Sequence, residues 1–462
     1  MFEVTSDRLQ TNNRYGVVKV RLFPAELEID DKEGFAPKKD IFKRKKVGDG
    51  LTNILTSVSQ PCVIAVDGSW GSGKSVFLKM WAGELRKTAI PVIYFDAFKN
   101  DYFNDAFVAI VGEIISLATG KVSDKDSVKN LQTKAAKVLK IIALASTKKL
   151  IERVSLGVID SAVLKDMQDA TTENPEIEKQ FEAILNSYGD NHSILESFKT
   201  TLSELPKIMV KDEESDKNKP LIIIIDELDR CRPDFALQIL ERIKHLFSVP
   251  NVHFVLGVHL NQLENSVSFT YGDRIDSHTY LQKFIHFTVS LSSQKSQHSR
   301  GDYSVFLDHI ISQFDFNTGE EGFVQNAKHM ILRAASSGTL SFRTIERILT
   351  KISIITKFAP KPEHQQHLIA GLCILKITNP NLYNNLKTGT SNFEEVKSAL
   401  GLSLDSDRDN WARISKVWLH HVDFSFDDTK VENDIPFPFG TKDQRKERIP
   451  TIANEVIDRF FE

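Results

Sequence analysis

The sequence predicts an α/β fold built on a mainly parallel sheet, with a helical insertion inside it and a helical C-terminal region after it. Two observations predict it. Five apolar runs of strand length fall between residues 62 and 291, most of them separated by segments of helical spacing. A glycine-rich octapeptide then stands between the first run and an amphipathic segment, an order that ties strand, loop and helix together.

The bulk numbers set the frame. A chain of 462 residues is long enough for two or three units at roughly 100–200 residues each, and 41% apolar content supplies their cores. With 59 basic and 62 acidic residues the net charge is -3, so no overall basic field marks a nucleic-acid or membrane-surface protein. Cys62, Cys231 and Cys373 are far apart and form no CxxC, and they read as small buried residues of a reducing compartment. The N-terminus lacks the basic-then-apolar pattern of a secretory leader. The most membrane-like stretch, residues 135–164, is interrupted by Lys137, Lys140, Lys148, Lys149, Glu152, Arg153 and Asp160, so it falls short of the about 18 apolar residues a spanning helix needs. A cytoplasmic protein without a membrane-spanning segment is expected.

Taken in order, residues 1–45 contain an alternating segment at 17–22 and a mixed-charge stretch, read as a strand and tether. A short helix at 51–58 precedes Pro61, and Cys62-Val63-Ile64-Ala65-Val66 is a strand apolar on both faces, as parallel sheets require. After the glycine loop, Val76, Phe77, Met80, Trp81 and Leu85 recur at helical spacing. Val92-Ile93-Tyr94-Phe95 is the second strand, and a helix is expected over 105–117. From about 118 to 219 the chain is polar, lysine-rich and helical in pattern, a helical insertion closed by a charged loop. Leu221-Ile222-Ile223-Ile224-Ile225 is the most apolar strand, residues 235–247 a helix, 252–258 another central strand, and 284–291 a fifth. Beyond 296 helical patterns dominate, including 342–355 and 364–377, until an aromatic segment at 435–440. The expected division is a tether at 1–45, a core at 46–295, a helical lid at 296–360 and a C-terminal helical partner-binding region at 361–462.

Gly68-Ser69-Trp70-Gly71-Ser72-Gly73-Lys74-Ser75 fits the phosphate-binding pattern G-x-x-x-x-G-K-[ST], known as Walker A. Its glycines let successive backbone N–H groups turn inward around phosphate oxygens at a helix N-terminus. Together with Val76 these residues form the expected nucleotide-binding set, for ATP with Mg²⁺. Lys74 is expected to reach the β and γ phosphates, and the Ser75 hydroxyl to join the Mg²⁺ shell. The strand at 221–225 ends in Asp226-Glu227, a Walker B pair: Asp226 to hold Mg²⁺ through water, Glu227 to orient or deprotonate the attacking water. The insertion lies between these two elements.

Other residues carry weaker signals. Arg230, Lys283, Arg274 and Arg343 are candidates for a positive charge that stabilises the transition state, although a surface ion pair is the more ordinary use of each arginine. Arg343 and Arg347 are four apart on a predicted helix, a suitable place for a lid residue that senses the γ phosphate. His259 and Asn261 follow a central strand and serve either as polar sensors or as a loop cap. Asp96 either approaches the metal or substrate side or has an ordinary structural role, the latter being favoured, while His253 and His286 read as satisfied strand residues.

Four segments in this order, Gly68 to Ser75, Tyr94-Phe95-Asp96-Ala97-Phe98, Ile225-Asp226-Glu227-Leu228-Asp229-Arg230-Cys231 and Tyr280-Leu281-Gln282-Lys283-Phe284-Ile285, resemble the KAP family of P-loop NTPases. The resemblance implies an additional-strand P-loop fold related to AAA+ and STAND ATPases, with an insertion between the nucleotide motifs. It implies that Trp70 belongs to the loop, that Asp229 and Arg230 extend the acidic motif, and that Arg343 matches an arginine-bearing helix of the family. The chain departs from the family at Phe98, where tryptophan is common, at Glu227, where aspartate is frequent, and at His259, where aspartate is usual. Many relatives carry membrane helices in the insertion; here the insertion is charged, so no membrane location is carried over.

The function expected is an ATP-hydrolysing switch or assembly ATPase acting on a protein effector partner and forming a homo-oligomer. What the resemblance implies for biology is anti-phage or mobile-element exclusion in bacteria. The alternatives are a nucleic-acid motor or clamp, contacting phosphate backbones through residues 39–46 and 442–448, a kinase that transfers the γ phosphate, and a scaffold that binds ATP without turnover.

Overall fold

The computed structural model describes residues 28–103, 105–121, 125–145, 175–209, 219–291, 298–314, 316, 319–337, 340–358, 365–404, 410–424 and 441–459. The predicted strand at 17–22, the aromatic segment at 435–440, most of the charged loop before Lys219 and the stretch from 146 to 164 lie outside them. The chain divides into a core unit, Leu27–Gln294, and a second unit whose described residues run from 298 to 459.

The core unit holds a five-stranded sheet with its strands paired in parallel, in the order β2-β3-β4-β1-β5. Its strands are β1 (Val63–Asp67), β2 (Val92–Asp96), β3 (Leu221–Asp226), β4 (Val252–Val258) and β5 (Phe287–Ser290). β3 and β4 are buried at every residue, the condition that makes a parallel strand apolar throughout. Alternate side chains of β3 feed opposite cores: Leu221, Ile223 and Ile225 one, Ile222 and Ile224 the other. On the second face pack α1 (Lys45–Ser57) and α2 (Lys74–Lys87), through Leu51, Leu55, Phe77, Met80 and Trp81.

The first face is covered by α3 (Ala106–Lys121), α4 (Lys125–Ala145), α5 (Pro175–Met209), α6 (Pro233–Leu246), α7 (Leu260–Tyr271) and the short α8 (Ser277–Leu281). Phe107, Phe198, Phe247 and Phe254 form one chain of ring contacts with centroids 5.6–6.1 Å apart, which joins the helical insertion to β4. The insertion is therefore part of the core packing. Strand β5 is shorter than the predicted 284–291 and largely exposed, because it pairs with β1 alone and residues 282–284 form a turn.

The second unit is helical throughout its described residues: α9 (His298–Ile311), α10 (Glu321–Ser337), α11 (Phe342–Phe358), α12 (Gln366–Thr378), α13 (Pro380–Thr388), α14 (Phe393–Leu400), α15 (Asn410–Val422) and α16 (Lys442–Thr451). Eight successive residues of α12, from Leu368 to Leu375, are buried, so it is the central helix of this unit. After Pro450, which has no N–H to give, the last helix continues as a π turn over Ile452–Ile457. Asp458 then joins Lys376, Lys387 and the Tyr383 hydroxyl. Among the described residues no helix is long and apolar enough to cross a membrane.

Candidate functional site

In a parallel sheet the loops that leave the carboxyl ends of the strands converge on one edge, and ligands bind there where the strand order reverses. Here the loops after β1, β3 and β4 meet at that edge. Gly68 leaves β1 with its N–H on the Val258 carbonyl at the end of β4, 3.2 Å away. The loop then tightens until Gly73, at φ +83°, caps α2 in a left-handed conformation that a side chain rarely adopts. Lys74 opens α2 and is 8% exposed. Its Nζ turns onto the carbonyls of Gly68 and Ser69, which occupy its charge within the loop. Burial pushes its pKa down, while Asp229, Asp226 and Asp67 pull it back up. The Ser72 hydroxyl is buried with no hydrogen-bond partner, a donor left for a ligand.

Behind the loop, the Arg44 guanidinium donates to the Ser72 carbonyl at 3.1 Å and to the Leu291 carbonyl, just past β5, at 3.3 Å. Its ring neighbour is Phe42, at 4.7 Å. The Asp40 carboxylate accepts the Arg44 and Lys45 N–H groups and so fixes the entry to α1. In the same basic run Lys45 pairs with Asp49 and Glu84.

The acidic edge reaches the phosphate loop across an intervening strand. β4 lies between β1 and β3, as the resemblance implies for an additional-strand sheet. Two strand spacings of about 4.8 Å separate β3 from β1. Asp226 crosses them because its register partner is Gly257: a Cβ there would lie 2.5 Å from Asp226 Oδ1 and 2.5 Å from Leu78 Cδ1. The carboxylate is 1% exposed and takes the Tyr94 hydroxyl on Oδ2 at 2.5 Å and the Glu227 N–H on Oδ1 at 2.9 Å; Ser75 lies near enough to lower its pKa. Burial raises its pKa, and Tyr94, Ser75 and the Glu227 N–H oppose that rise.

Glu227 follows at φ +59°, a left-handed conformation costly for a residue with a Cβ and one that gathers at functional sites. It opens the short 3-10 turn Leu228–Arg230, whose Arg230 returns to pair with the Glu227 carboxylate at 2.7 Å. Burial raises the Glu227 pKa, Arg230 opposes it, and the charges of Asp226, Asp96 and Asp229 add to it. From the phosphate loop, Trp70 Nε1 donates to Asp229 Oδ2 at 2.5 Å, and its ring meets His259 edge-on with centroids 6.0 Å apart.

These residues fit a nucleotide-bound Mg²⁺. Among the described residues no group of three or more His, Cys, Asp or Glu could hold a metal by itself. Mg²⁺ at triphosphate sites takes only one or two protein ligands, the others being phosphate oxygens and water. Ser75 and Asp226, which act on each other at this edge, supply one hydroxyl and one carboxylate, and they are the residues that would hold it.

The remaining candidates are placed as follows. Asp96 caps the turn after β2, accepting the Lys99 N–H at 3.0 Å. His286 Nδ1 accepts the Val63 N–H at 3.0 Å, and His253, fully buried on β4, is pushed down to about 4 by burial. His259 caps α7 with its Nδ1 buried and unpartnered; Asn261 is exposed on the first turn. Arg274 is exposed. Lys283 precedes β5, beside His286 and the start of β1, and rests on the Tyr280 ring at 4.9 Å. Because β5 runs parallel to β1, that position is the amino edge of the sheet, opposite the phosphate loop, and the fold does not bring Lys283 to the site. Arg343 and Arg347 are exposed on α11, in the second unit. Sequence reasoning missed Arg44, Tyr94 and Gly257. A glycine inside an apolar strand signals close approach, and a tyrosine in a buried run needs a partner for its hydroxyl. Arg44 has no such signal.

A family model described as the KAP family P-loop domain matches residues 44–359. No curated protein matches the chain. Among solved structures it is similar to that of the Aeropyrum pernix ORC2 protein in ADPNP-ADP complexes, at 13% identity and a TM-score of 0.34, over 82% of this chain and 76% of that one.

Proposed function

We propose, on the premise that this chain belongs to the KAP family of P-loop NTPases, that it hydrolyses ATP with Mg²⁺ and that nucleotide state switches a protein effector. The observation that carries the reading is the convergence of Ser75, Asp226 and Glu227 at one end of the sheet. Backbone N–H groups of the loop after Gly68, through Val76, receive the phosphates with the Ser72 hydroxyl, and Lys74 leaves the loop carbonyls for the β and γ oxygens. When bound, Mg²⁺ neutralises charge between those phosphates. Glu227 takes a proton from water as the water oxygen bonds to the γ phosphorus; the bond from that phosphorus to the bridging oxygen breaks, and ADP departs with the electron pair. Burial and the neighbouring carboxylates support the role of Glu227 as base, since they raise its proton affinity.

The wider parts of the reading rest on the family and on the sequence pattern. They are an effector in anti-phage or mobile-element exclusion, action as a homo-oligomer in the cytoplasm, Arg343 as the sensor of the γ phosphate, and the division into tether, core, lid and partner-binding region.

Phosphate release by wild type and Glu227→Gln, each with and without DNA, tests the proposal. The variant is expected to keep its nucleotide affinity within about threefold while turnover falls roughly 10²–10⁴-fold, the usual worth of a general base. Equal turnover in the two proteins would refute hydrolysis at this site. Turnover that required DNA would instead favour a nucleic-acid motor, and turnover that required a small metabolite a kinase.

A further inference from the structure

We propose that Trp70 is a positioning residue: its indole, held by Asp229, couples the phosphate loop to the acidic loop and thereby sets Glu227 against the terminal phosphate. The inference rests on the ATPase reading above and adds a residue to it.

A phosphate-binding loop works through its backbone, so the side chain between Ser69 and Gly71 is not required to be large. This chain places an indole there and leaves it 46% exposed. Its N–H is committed to Asp229 Oδ2 at 2.5 Å, and Asp229 is 7% exposed. The other edge of the contact is His259, which caps α7 after β4. One side chain thus belongs by backbone to the loop after β1 and touches the loops after β3 and β4, the three that form the site.

Asp229 stands two residues after Glu227, inside the 3-10 turn that Glu227 opens. The Glu227 backbone is left-handed and therefore held by its surroundings, not by its own preference. Fixing Asp229 fixes that turn. Asp229 also heads the acidic groups that act on Lys74. A shift of the phosphate loop on binding a triphosphate is therefore passed by the indole to the residue that activates water, while the phosphates themselves are gripped elsewhere.

The experiment compares wild type, Trp70→Phe, Asp229→Ala, Asp229→Asn and the Trp70→Phe/Asp229→Ala double variant. Phenylalanine keeps an aromatic ring and loses the N–H; asparagine keeps an acceptor oxygen. Trp70→Phe and Asp229→Ala are each expected to lower kcat about tenfold or more, with the Kd for AMP-PNP and Mg²⁺ changed less than threefold. The double variant is expected to fall no further, and Asp229→Asn to recover most of the loss. Additive losses, or losses confined to Kd, would overturn the proposal. A second readout needs no turnover. Trp81, Trp411 and Trp418 are 0%, 6% and 0% exposed, so acrylamide quenching of intrinsic fluorescence reports on Trp70. Quenching is expected to rise in Asp229→Ala and to stay near wild type in Asp229→Asn; equal quenching in all three would remove the bridge. A wild type without turnover would instead bring down the ATPase reading, whatever the quenching shows.

Discussion

Replacing Tyr94 by phenylalanine removes one oxygen from the protein and tests how the acidic strand is held. That hydroxyl is the donor to Asp226 Oδ2 at 2.5 Å, from the neighbouring strand β2. The carboxylate is 1% exposed, so water does not reach it readily to replace the lost donor. Its other donor, the Glu227 N–H, remains. A hydrogen bond to a charged group contributes about 1.5–3 kcal/mol, which converts to a factor of roughly 10–100. Losses of outer-shell partners of metal ligands fall in the same range, about 10–100-fold in metal affinity. The half-saturating Mg²⁺ concentration for phosphate release is therefore expected to rise about 10–100-fold in Tyr94→Phe. Turnover at saturating Mg²⁺ and metal-free nucleotide affinity are expected to stay within about threefold. An unchanged Mg²⁺ dependence in a folded variant would show that Asp226 does not hold the metal, and an equal loss of metal-free affinity would show a general disturbance of the loop.

Two more measurements probe the frame around the site and the second unit. Gly257→Ala puts a methyl 2.5 Å from both Asp226 Oδ1 and Leu78 Cδ1, and overpacking of this kind costs about 1–3 kcal/mol; urea unfolding should show that loss together with reduced hydrolysis, and a variant at full stability and rate would show that the carboxylate does not lie over β4. Burial pushes the Asp458 carboxyl up, but the bonds from Lys376, Lys387 and Tyr383 outweigh it and hold the pKa at about 2 instead of 3.8. The folded pKa is depressed, so its contribution of roughly 2 kcal/mol is present above the ordinary carboxylate range and lost as pH falls through about 2. The stability gap between wild type and Asp458→Asn should shrink steadily below pH 4 in denaturant titrations; a constant gap would refute the linkage.

What could be read from the chain depended on how local the physics was. β3 and β4 were legible because a strand buried on both faces has no polar positions to interrupt the run. The phosphate loop was legible because its geometry demands particular residues over eight consecutive positions. β5 was harder, since an exposed edge strand keeps only part of that pattern and its neighbours Phe284 and Ile285 extended the apolar run into a turn. Lys283 lay near a strand in sequence, yet direction of pairing decides which end of a strand faces the site, and one strand's residues do not state it. Tyr94 and Asp226 are 132 positions apart, and Arg44 and Ser72 are 28 apart; neither contact leaves a periodicity. Gly257 was visible as a glycine in an apolar run, but the carboxylate it makes room for comes from the adjacent strand.

The guanidinium of Arg44 is planar and stiff, and one group spans two carbonyls that lie 219 residues apart in the chain, Ser72 and Leu291. Ser72 is the last residue before the glycine that starts α2; Leu291 is the residue at which the backbone leaves the final strand of the sheet. A fastener shared in this way works in both directions. Drawing the glycine turn inward by a few tenths of an ångström strains the far bond, and a pull on the departing backbone is felt, by the same reciprocity, at the amides that would receive a phosphate.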